Sequence, residues 1–229
     1  MEQVLNTADG LVRFIITRKK VQNIRIRVSG DGAVAVSAPV RLSKEVINDF
    51  VKRNAASIIK RRNEIEEKRR GSYPVYYETG DTFLFLGNRI TLKVKRAARA
   101  GAKMEAECFT LYVPDNMTAK QAFIRWALNT ARAVFSDRIA ALAACGNIKL
   151  SVRRMLTRWG SINTQKRTMS LTVHLLRCEP CIIDYVIMHE LCHLKYTRHS
   201  KAFYGELEKR YPNRRFYDKK LSEYGLVDF

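Results

Sequence analysis

The chain carries the sequence HELCHLKYTRH at residues 189–199, and this segment holds three of its four histidines. On a helix, His189 and His193 would lie one turn apart on the same face, close enough for both imidazoles to bind one metal ion. Glu190 would project near that ion without binding it, where its carboxylate can accept a proton from a water molecule. The spacing is the HExxH pattern of zinc hydrolases, most of which are proteases. The sequence therefore predicts an enzyme.

The residues before this motif predict a buried helix. Pro180 follows Glu179, and proline suits the first turn of a helix. The apolar run CIIDYVIM at residues 181–188 then leads into the motif, as expected for a helix within a core. Burying two histidines and a glutamate without partners is unfavourable, and a metal ion would supply the partner. The alternative is a pair of hydrogen-bonded core histidines with a surface glutamate between them.

A catalytic zinc usually has three protein ligands and leaves one position open for water. His199 is the preferred third ligand, because Ser200 is a good N-cap for a second helix and a turn before it would bring His199 back to the metal. We therefore expect one Zn²⁺ per chain. The alternative third ligands are the downstream carboxylates, Glu206, Glu208 and Glu223.

Hydrolysis of a peptide bond also needs a hydrogen-bond donor for the oxyanion. Four side chains are candidates for this transition-state contact: Tyr204, Tyr196, Arg154 and Arg158. The strand expected near residues 169–173 would offer its edge to an extended peptide, which is a common way of holding protease substrates.

Composition is consistent with a cytoplasmic protein. The chain has 229 residues, of which 46% are hydrophobic, and no stretch approaches the roughly 18 apolar residues of a membrane span. The first twenty residues lack the apolar core of a signal peptide. Five cysteines form an odd set that does not suggest a disulfide framework.

The net charge of +20 is the second strong signal in the sequence. Such an excess of lysine and arginine favours polyanionic partners, of which nucleic acid is the usual one. Without a recognisable binding motif, charge alone predicts only non-specific, salt-sensitive association. The alternative is that basic runs such as residues 60–70, which also contain glutamates, are solvated helix faces.

The first part of the chain is predicted to be a β-rich domain covering residues 1–115. Alternating or β-branched residues predict strands over residues 11–17, 22–28, 33–38, 83–86, 90–94 and 109–113. Ser43 is expected to cap a helix, followed by a basic helix to about Arg70. Gly87 and Asn88 would form a turn.

The second part, residues 116–229, is predicted to be a small zincin-like metalloprotease domain, which makes the fold class α+β. Thr118 and Gln121 form a capping box that opens a long helix from Ala119 to about Ala144, with Gly146 as its C-terminal cap. A small sheet with strands around residues 148–152 and 168–173 would follow. The HExxH helix and the final helices complete the domain.

Several segments together resemble one family, the YgjP-like zinc metallopeptidases, which are relatives of the SprT-like and WLM metalloproteases. They are RWGS at 158–161, IDYVIMHELCH at 183–193, and His199, Ser200 and Phe203. The resemblance extends more weakly into the first part through RIRV at 25–28, VAVSAP at 34–39 and FLFLG at 83–87.

This resemblance implies that His189, His193 and His199 bind zinc and that Glu190 is the general base. It also implies a protein or peptide substrate. The chain departs from the family where Ile162 replaces a cysteine and Thr172 an asparagine. We expect Trp159 to be structural, with a contact to substrate as the alternative.

Three functions of different class are consistent with the sequence. The first is a zinc protease of general or narrow specificity. The second is a nucleic-acid-associated protease that acts on DNA-bound proteins, which would also use the basic charge. The third is a non-catalytic nucleic-acid-binding protein with a structural zinc, although structural zinc sites normally have four protein ligands.

Overall fold

The computed structural model describes residues 2–143 and 147–229 of the chain. Within these residues the chain forms eleven strands in three small sheets, six α-helices and one 3₁₀ helix, which confirms the predicted mixed α+β class. The chain divides into two compact units, of which the first ends at Arg69 and the second runs Arg70–Phe229. The predicted boundary between residues 115 and 116 lies inside the second unit and stays a prediction.

The first unit contains a four-stranded sheet with the order β1-β2-β4-β3. Its strands are β1 Glu2–Thr7, β2 Gly10–Lys19, β3 Arg25–Val28 and β4 Val34–Pro39. Strands β2 and β4 are parallel, and the other neighbours are antiparallel. Three of these strands were predicted. The exception is β1, because only two apolar residues, Val4 and Leu5, stand in its sequence EQVLNT.

Two helices follow the first sheet, α1 Lys44–Arg53 and α2 Ala55–Ser72. Ser43 caps α1 as predicted, and its Oγ accepts a hydrogen bond from the Val46 backbone N at 3.4 Å. Helix residues and the inner face of the sheet share one apolar core, formed by Val12, Phe14, Val34, Val36, Ala38, Ile47, Val51, Ala55 and Ile58.

The second unit begins with another four-stranded sheet, ordered β5-β6-β8-β7. Its strands are β5 Thr82–Phe85, β6 Asn88–Arg96, β7 Gly101–Glu105 and β8 Cys108–Val113. Strand β7 was not predicted, because every residue in it is exposed and no apolar alternation marks it. The turn between β5 and β6 uses Leu86 and Gly87, both at positive φ, rather than the predicted Gly87 and Asn88.

The long helix α3, Ala119–Leu142, packs on this sheet through aromatic side chains. The predicted capping box is present, since Thr118 and Gln121 each bind the other's backbone N–H. The Phe83 and Phe123 ring centroids lie 5.0 Å apart, and those of Phe109 and Trp126 lie 4.2 Å apart. The predicted helix end at Ala144 and its cap at Gly146 lie outside the described residues.

The rest of the second unit holds a three-stranded sheet and the final helices. The sheet has the order β10-β11-β9, with β9 Lys149–Arg153, β10 Gly160–Asn163 and β11 Thr168–Thr172. The 3₁₀ helix Val173–Arg177 leads to α4 Pro180–Cys192, α5 Lys201–Glu208 and α6 Arg214–Tyr224. Across the described part of the chain, each helix is too short or too polar to cross a membrane.

The Gly87 turn provides a test of the second unit's packing. Gly87 has φ +85, and a Cβ built there would lie 2.6 Å from Glu179 Cγ and 3.3 Å from Glu179 Cα. We predict that Gly87→Ala lowers the free energy of unfolding by about 1–3 kcal/mol, because both the backbone conformation and the contact become strained. Urea unfolding would measure the change.

The matched control is Gly71→Ala, because Gly71 is helical and a Cβ added there would have no heavy atom within 4 Å. This variant should be neutral or slightly more stable, since alanine is the better helix former. Equal unfolding midpoints for the two variants would contradict the strain at the turn.

Candidate metal centre and active site

Helix α4 positions the first two histidines of the motif. It begins with Pro180 at its first turn, and its buried residues include Ile182, Ile183 and Ile187. His189 lies in its last turn, and His193 is the C-cap residue that follows the helix. The ring centroids of His189 and His193 lie 5.2 Å apart, so the predicted one-turn spacing places both imidazoles on one face.

The turn after α4 brings His199 close to His189 and His193. Ser200 caps α5 as predicted, and its Oγ accepts a hydrogen bond from the Phe203 backbone N at 3.3 Å. The Nε2 atoms of His199 and His189 lie 3.0 Å apart. One ligand atom from each of the three histidines lies within 4.8 Å of the others.

The three rings share one apolar support. Phe203 is fully buried, and its ring centroid lies 5.0 Å from that of His189, 4.7 Å from His193 and 4.8 Å from His199. A side chain that contacts all three imidazoles restricts their rotation, so the nitrogen atoms stay directed at a common centre.

The protonation of these histidines suits metal binding. Burial, followed by the neighbouring His193 and His199, lowers the pKa of His189 to about 4. Burial and then His193 also lower the pKa of His199. His193 Nδ1 lies 3.0 Å from the Tyr196 carbonyl and donates to it, which leaves Nε2 as an acceptor. Neutral imidazoles with free lone pairs are the form that binds metals, so the residues fit a divalent ion.

Glu190 is buried beside the histidines, with 7% of its surface exposed. Burial raises the pKa of its carboxyl to about 7, against the opposing effects of the Arg158 cation and a hydrogen bond from the Ile162 backbone. A carboxyl whose pKa lies near neutrality can both accept and return a proton. The group therefore has the properties of a general base.

Gly160 allows strand β10 to approach this carboxylate. A Cβ at Gly160 would lie 3.0 Å from both Glu190 Cγ and Glu190 Oε1, and 3.1 Å from Leu171 Cδ2. A larger residue would push the Glu190 side chain from its position. This requirement accounts for the glycine in the RWGS segment.

The histidines and Glu190 open onto a cavity of about 820 Å³. Its lining residues come from the segment around β10, from α4, from the turn after α4 and from α6. They are Thr157, Arg158, Trp159, Gly160, Ser161, Ile162, Thr164, Tyr185, Val186, His189, Glu190, His193, Thr197, His199, Asp218 and Leu221. The cavity is large enough for several residues of an extended peptide.

Of the side chains predicted to contact the transition state or substrate, only Arg158 and Trp159 line this cavity. Arg154 pairs with Asp228 at 2.7 Å. Tyr204 stacks on the His199 ring with centroids 6.0 Å apart. Tyr196 contributes its backbone carbonyl to His193.

The three glutamates considered as alternative metal ligands form salt bridges with lysine or arginine side chains instead. Glu206 pairs with Lys209 at 2.9 Å, Glu208 with Arg214 at 3.5 Å, and Glu223 with Lys220 at 3.5 Å. The metal-ligand group that the described residues form contains His189, His193 and His199 and none of these carboxylates.

The strand order of the sheet beside the cavity corrects the expectation that β11 offers its edge to a peptide. Strand β11 was expected to offer its edge to a peptide, but it is hydrogen-bonded to β10 on one side and to β9 on the other. The edge strand that lines the cavity is β10, Gly160–Asn163. Sequence reasoning took β11 for the edge because its apolar residues are more obvious than those of GSIN.

Two cavity residues, Tyr185 and Asp218, were missed from the sequence. Tyr185 lies one helical turn before His189, so the four-residue spacing on α4 was a usable signal. Its OH donates a hydrogen bond to Asp218 Oδ1 at 2.7 Å. Asp218 belongs to α6, and only the tertiary fold brings it to the site.

Comparison with known protein families gives one match. The family described as YgjP-like, metallopeptidase domain, matches residues 22–224. Among solved structures, the metallopeptidase zymogen jannalysin of Methanocaldococcus jannaschii has 18% identity and a TM-score of 0.35, over 40% of this chain and 93% of that one. The zymogen abylysin of Pyrococcus abyssi has 22% identity and a TM-score of 0.35, over 41% and 93%. No curated protein matches.

The histidine geometry predicts a change in metal affinity. We expect wild-type protein to bind one divalent ion per chain and His199→Ala to bind it at least about tenfold more weakly, because one of three ligands is lost. Competition with a chromophoric chelator measures both affinities. Thr197→Ala is the control, since Thr197 lines the same cavity outside the ligand group. Equal affinity of His199→Ala and wild type would assign the third ligand to another residue.

Proposed function

The chain belongs to the YgjP-like metallopeptidase family, and on that premise we propose that it hydrolyses peptide bonds at a zinc ion. His189, His193 and His199 would hold the zinc, one ion per chain, and Glu190 would be the general base. The family makes the chain a peptidase that acts on proteins or peptides. The proposal adds the ion, its ligands and the base, and assigns the second unit's core to a zincin-like arrangement.

One observation carries the proposal, namely the meeting of three imidazoles and a buried carboxylate at one cavity. Three imidazole donors favour zinc over magnesium or calcium, which prefer oxygen ligands. Three protein ligands are also the number typical of catalytic zinc, because a fourth position stays open. A structural zinc site with four protein ligands finds no support in this donor set.

When bound, a zinc ion would supply Lewis acidity, which polarises a peptide carbonyl and activates a water molecule. Glu190 would accept a proton from the attacking water and later return it to the leaving amine. Burial raises the pKa of this carboxyl, which favours its acceptance of the proton, and a bound dication beside it would oppose this shift. The absence of a side chain at Gly160 would leave room for the carboxylate at this position.

Arg158 is the donor that we assign to the oxyanion, because it lines the cavity and acts electrostatically on Glu190. Arg154 is held by Asp228, and Tyr204 supports the back of His199. Trp159 lines the cavity, which favours the alternative of a substrate contact over the structural role expected for it. A cation near the developing negative charge stabilises the transition state more than the ground state.

The edge of β10 would bind the peptide as an additional strand. Its one described neighbour is β11, so a peptide would pair with its other side, where the backbone N–H of Ile162 is donated to Glu190. Because β10 lies against Glu190 through Gly160, a peptide on this edge would run past the base.

The basic charge does not extend the proposal to nucleic acid. A net charge of +20 supports non-specific association only, and the cavity lining contains one arginine and no lysine. The protease acting on DNA-bound proteins, and the non-catalytic DNA-binding protein, therefore rest on composition alone.

The proposed base predicts the outcome of Glu190→Gln. We expect kcat to fall by about 10²–10⁴-fold while zinc remains bound, because glutamine cannot accept the proton. Cleavage of fluorescently labelled casein, with zinc content determined on the same samples, measures both effects. Glu206→Gln is the matched control, because Glu206 is paired with Lys209 away from the cavity. A folded, zinc-loaded Glu190→Gln protein that cleaves at the wild-type rate would refute the mechanism.

The contact between β10 and the base predicts the outcome of Gly160→Ala. We expect kcat to fall roughly tenfold or more with zinc affinity retained, because the three atoms nearest to the new Cβ belong to Glu190 and Leu171 rather than to a histidine. Gly101→Ala is the control, since Gly101 lies in exposed strand β7 and a Cβ added there would lie 3.7 Å from the nearest atom, Tyr112 Cδ2. Loss of zinc in Gly160→Ala would indicate a wider collapse of the site, contrary to this reasoning.

A further inference from the structure

Helix α6 contributes a carboxylate to the wall of the cavity. Asp218 and Leu221 both line it, together with residues of α4. We propose that Asp218 receives a basic side chain of the substrate, so that the enzyme selects peptides with lysine or arginine at one subsite. This inference rests on the proposed function and specifies its substrate class.

Asp218 can accept further hydrogen bonds in addition to the two that it already accepts. Oδ1 accepts from the Tyr185 hydroxyl at 2.7 Å, and Oδ2 accepts from Arg214 Nη1 at 3.0 Å. A carboxylate offers about four acceptor sites, so each oxygen retains one. The Asp218 side chain is 49% exposed, and a ligand can therefore reach these sites.

The arginine that binds Asp218 does not cancel its charge at the cavity. Arg214 is shared with Glu208, whose Oε1 lies 3.5 Å from Arg214 Nε. Its guanidinium also stacks over the Tyr204 ring at 4.2 Å, and Arg214 does not appear in the cavity lining. The group of Glu208, Arg214 and Asp218 has a net charge of −1, and the carboxylate is the part that faces the cavity.

The surroundings of Asp218 suit the stem of a long basic side chain. Tyr185, Val186 and Leu221 line the cavity near it. The Tyr185 ring is fixed by stacking on Tyr217, with centroids 4.8 Å apart and planes at 16°. Lysine and arginine place their methylene groups along apolar surface while the charged end reaches a polar partner.

The charges of the cavity as a whole favour this assignment. Apart from the histidines and Glu190, its lining has two charged side chains, Arg158 and Asp218. Lysine and arginine outnumber aspartate and glutamate by 42 to 22 in the chain, so most of the surface repels a basic peptide. Apart from Glu190, which is buried, Asp218 is the carboxylate in this lining that attracts one, and this contrast produces selection.

The test is cleavage of an unbiased library of short synthetic peptides by zinc-loaded protein, with products identified by mass spectrometry. We expect lysine and arginine to be enriched at one position relative to the cleaved bond. Asp218→Asn should lose this enrichment, because asparagine preserves the shape without the charge. Glu223→Gln should keep it, since this control removes the same charge from the same helix outside the cavity.

A pair of peptides then separates selection from a structural role. One carries lysine at the enriched position and the other carries acetyl-lysine, which has similar length and no charge. Wild type should cleave the lysine peptide with roughly five- to tenfold higher kcat/KM, and Asp218→Asn should cleave both alike. Glu190→Gln protein should bind the two peptides in the same order, measured by fluorescence anisotropy.

The outcomes distinguish this inference from the proposed function. Cleavage without enrichment, or enrichment that survives Asp218→Asn, would overturn the role of Asp218 and leave the peptidase intact. An equal fall of kcat/KM for both peptides in Asp218→Asn would show a purely structural residue. Absence of any cleavage by zinc-loaded wild type would overturn the proposed function and this inference together.

Discussion

The Glu190 carboxylate is buried, His189 and His193 are partly buried and His199 is exposed, and a buried polar group loses hydration unless another group replaces it. Phe203 contacts all three rings, and buried Ile183 and Ile187 anchor α4, the helix that carries His189 and Glu190. Such an arrangement is unfavourable by itself. A metal ion would resolve it, because it would interact with the lone pairs of all three imidazoles at once.

The same burial determines how close the neighbouring sheet must come. Glu190 is removed from water by β10, and the approach is possible because Gly160 has no side chain. The backbone of Ile162 then donates a hydrogen bond to the carboxylate, which holds it in one orientation. The edge strand therefore has two effects at once, since it orients the Glu190 carboxylate and lines the cavity.

Local chemistry allowed much of the site to be predicted from the sequence. The HExxH spacing, the N-cap at Ser200 and the capping box at Thr118 depend on residues a few positions apart, and each is present in the fold. Strands β1 and β7 were missed because exposed or weakly alternating residues leave no periodic signal. Asp218 and the edge position of β10 depend on contacts between distant segments, which a single sequence does not reveal.

Arg214 links the histidine cluster to the wall of the cavity. On one side its guanidinium stacks over Tyr204, whose ring lies parallel to that of His199 with a 19° angle between the planes. On the other side it binds Asp218, which also accepts from Tyr185 on the ligand helix α4. Through Arg214 and Asp218, helix α6 thereby supports Tyr204 behind His199 and places a carboxylate at the cavity. A change at Arg214 would alter both the orientation of His199 and the charge offered at Asp218, so metal affinity and substrate preference should change together. A change at Asp218 should alter substrate preference without changing metal affinity.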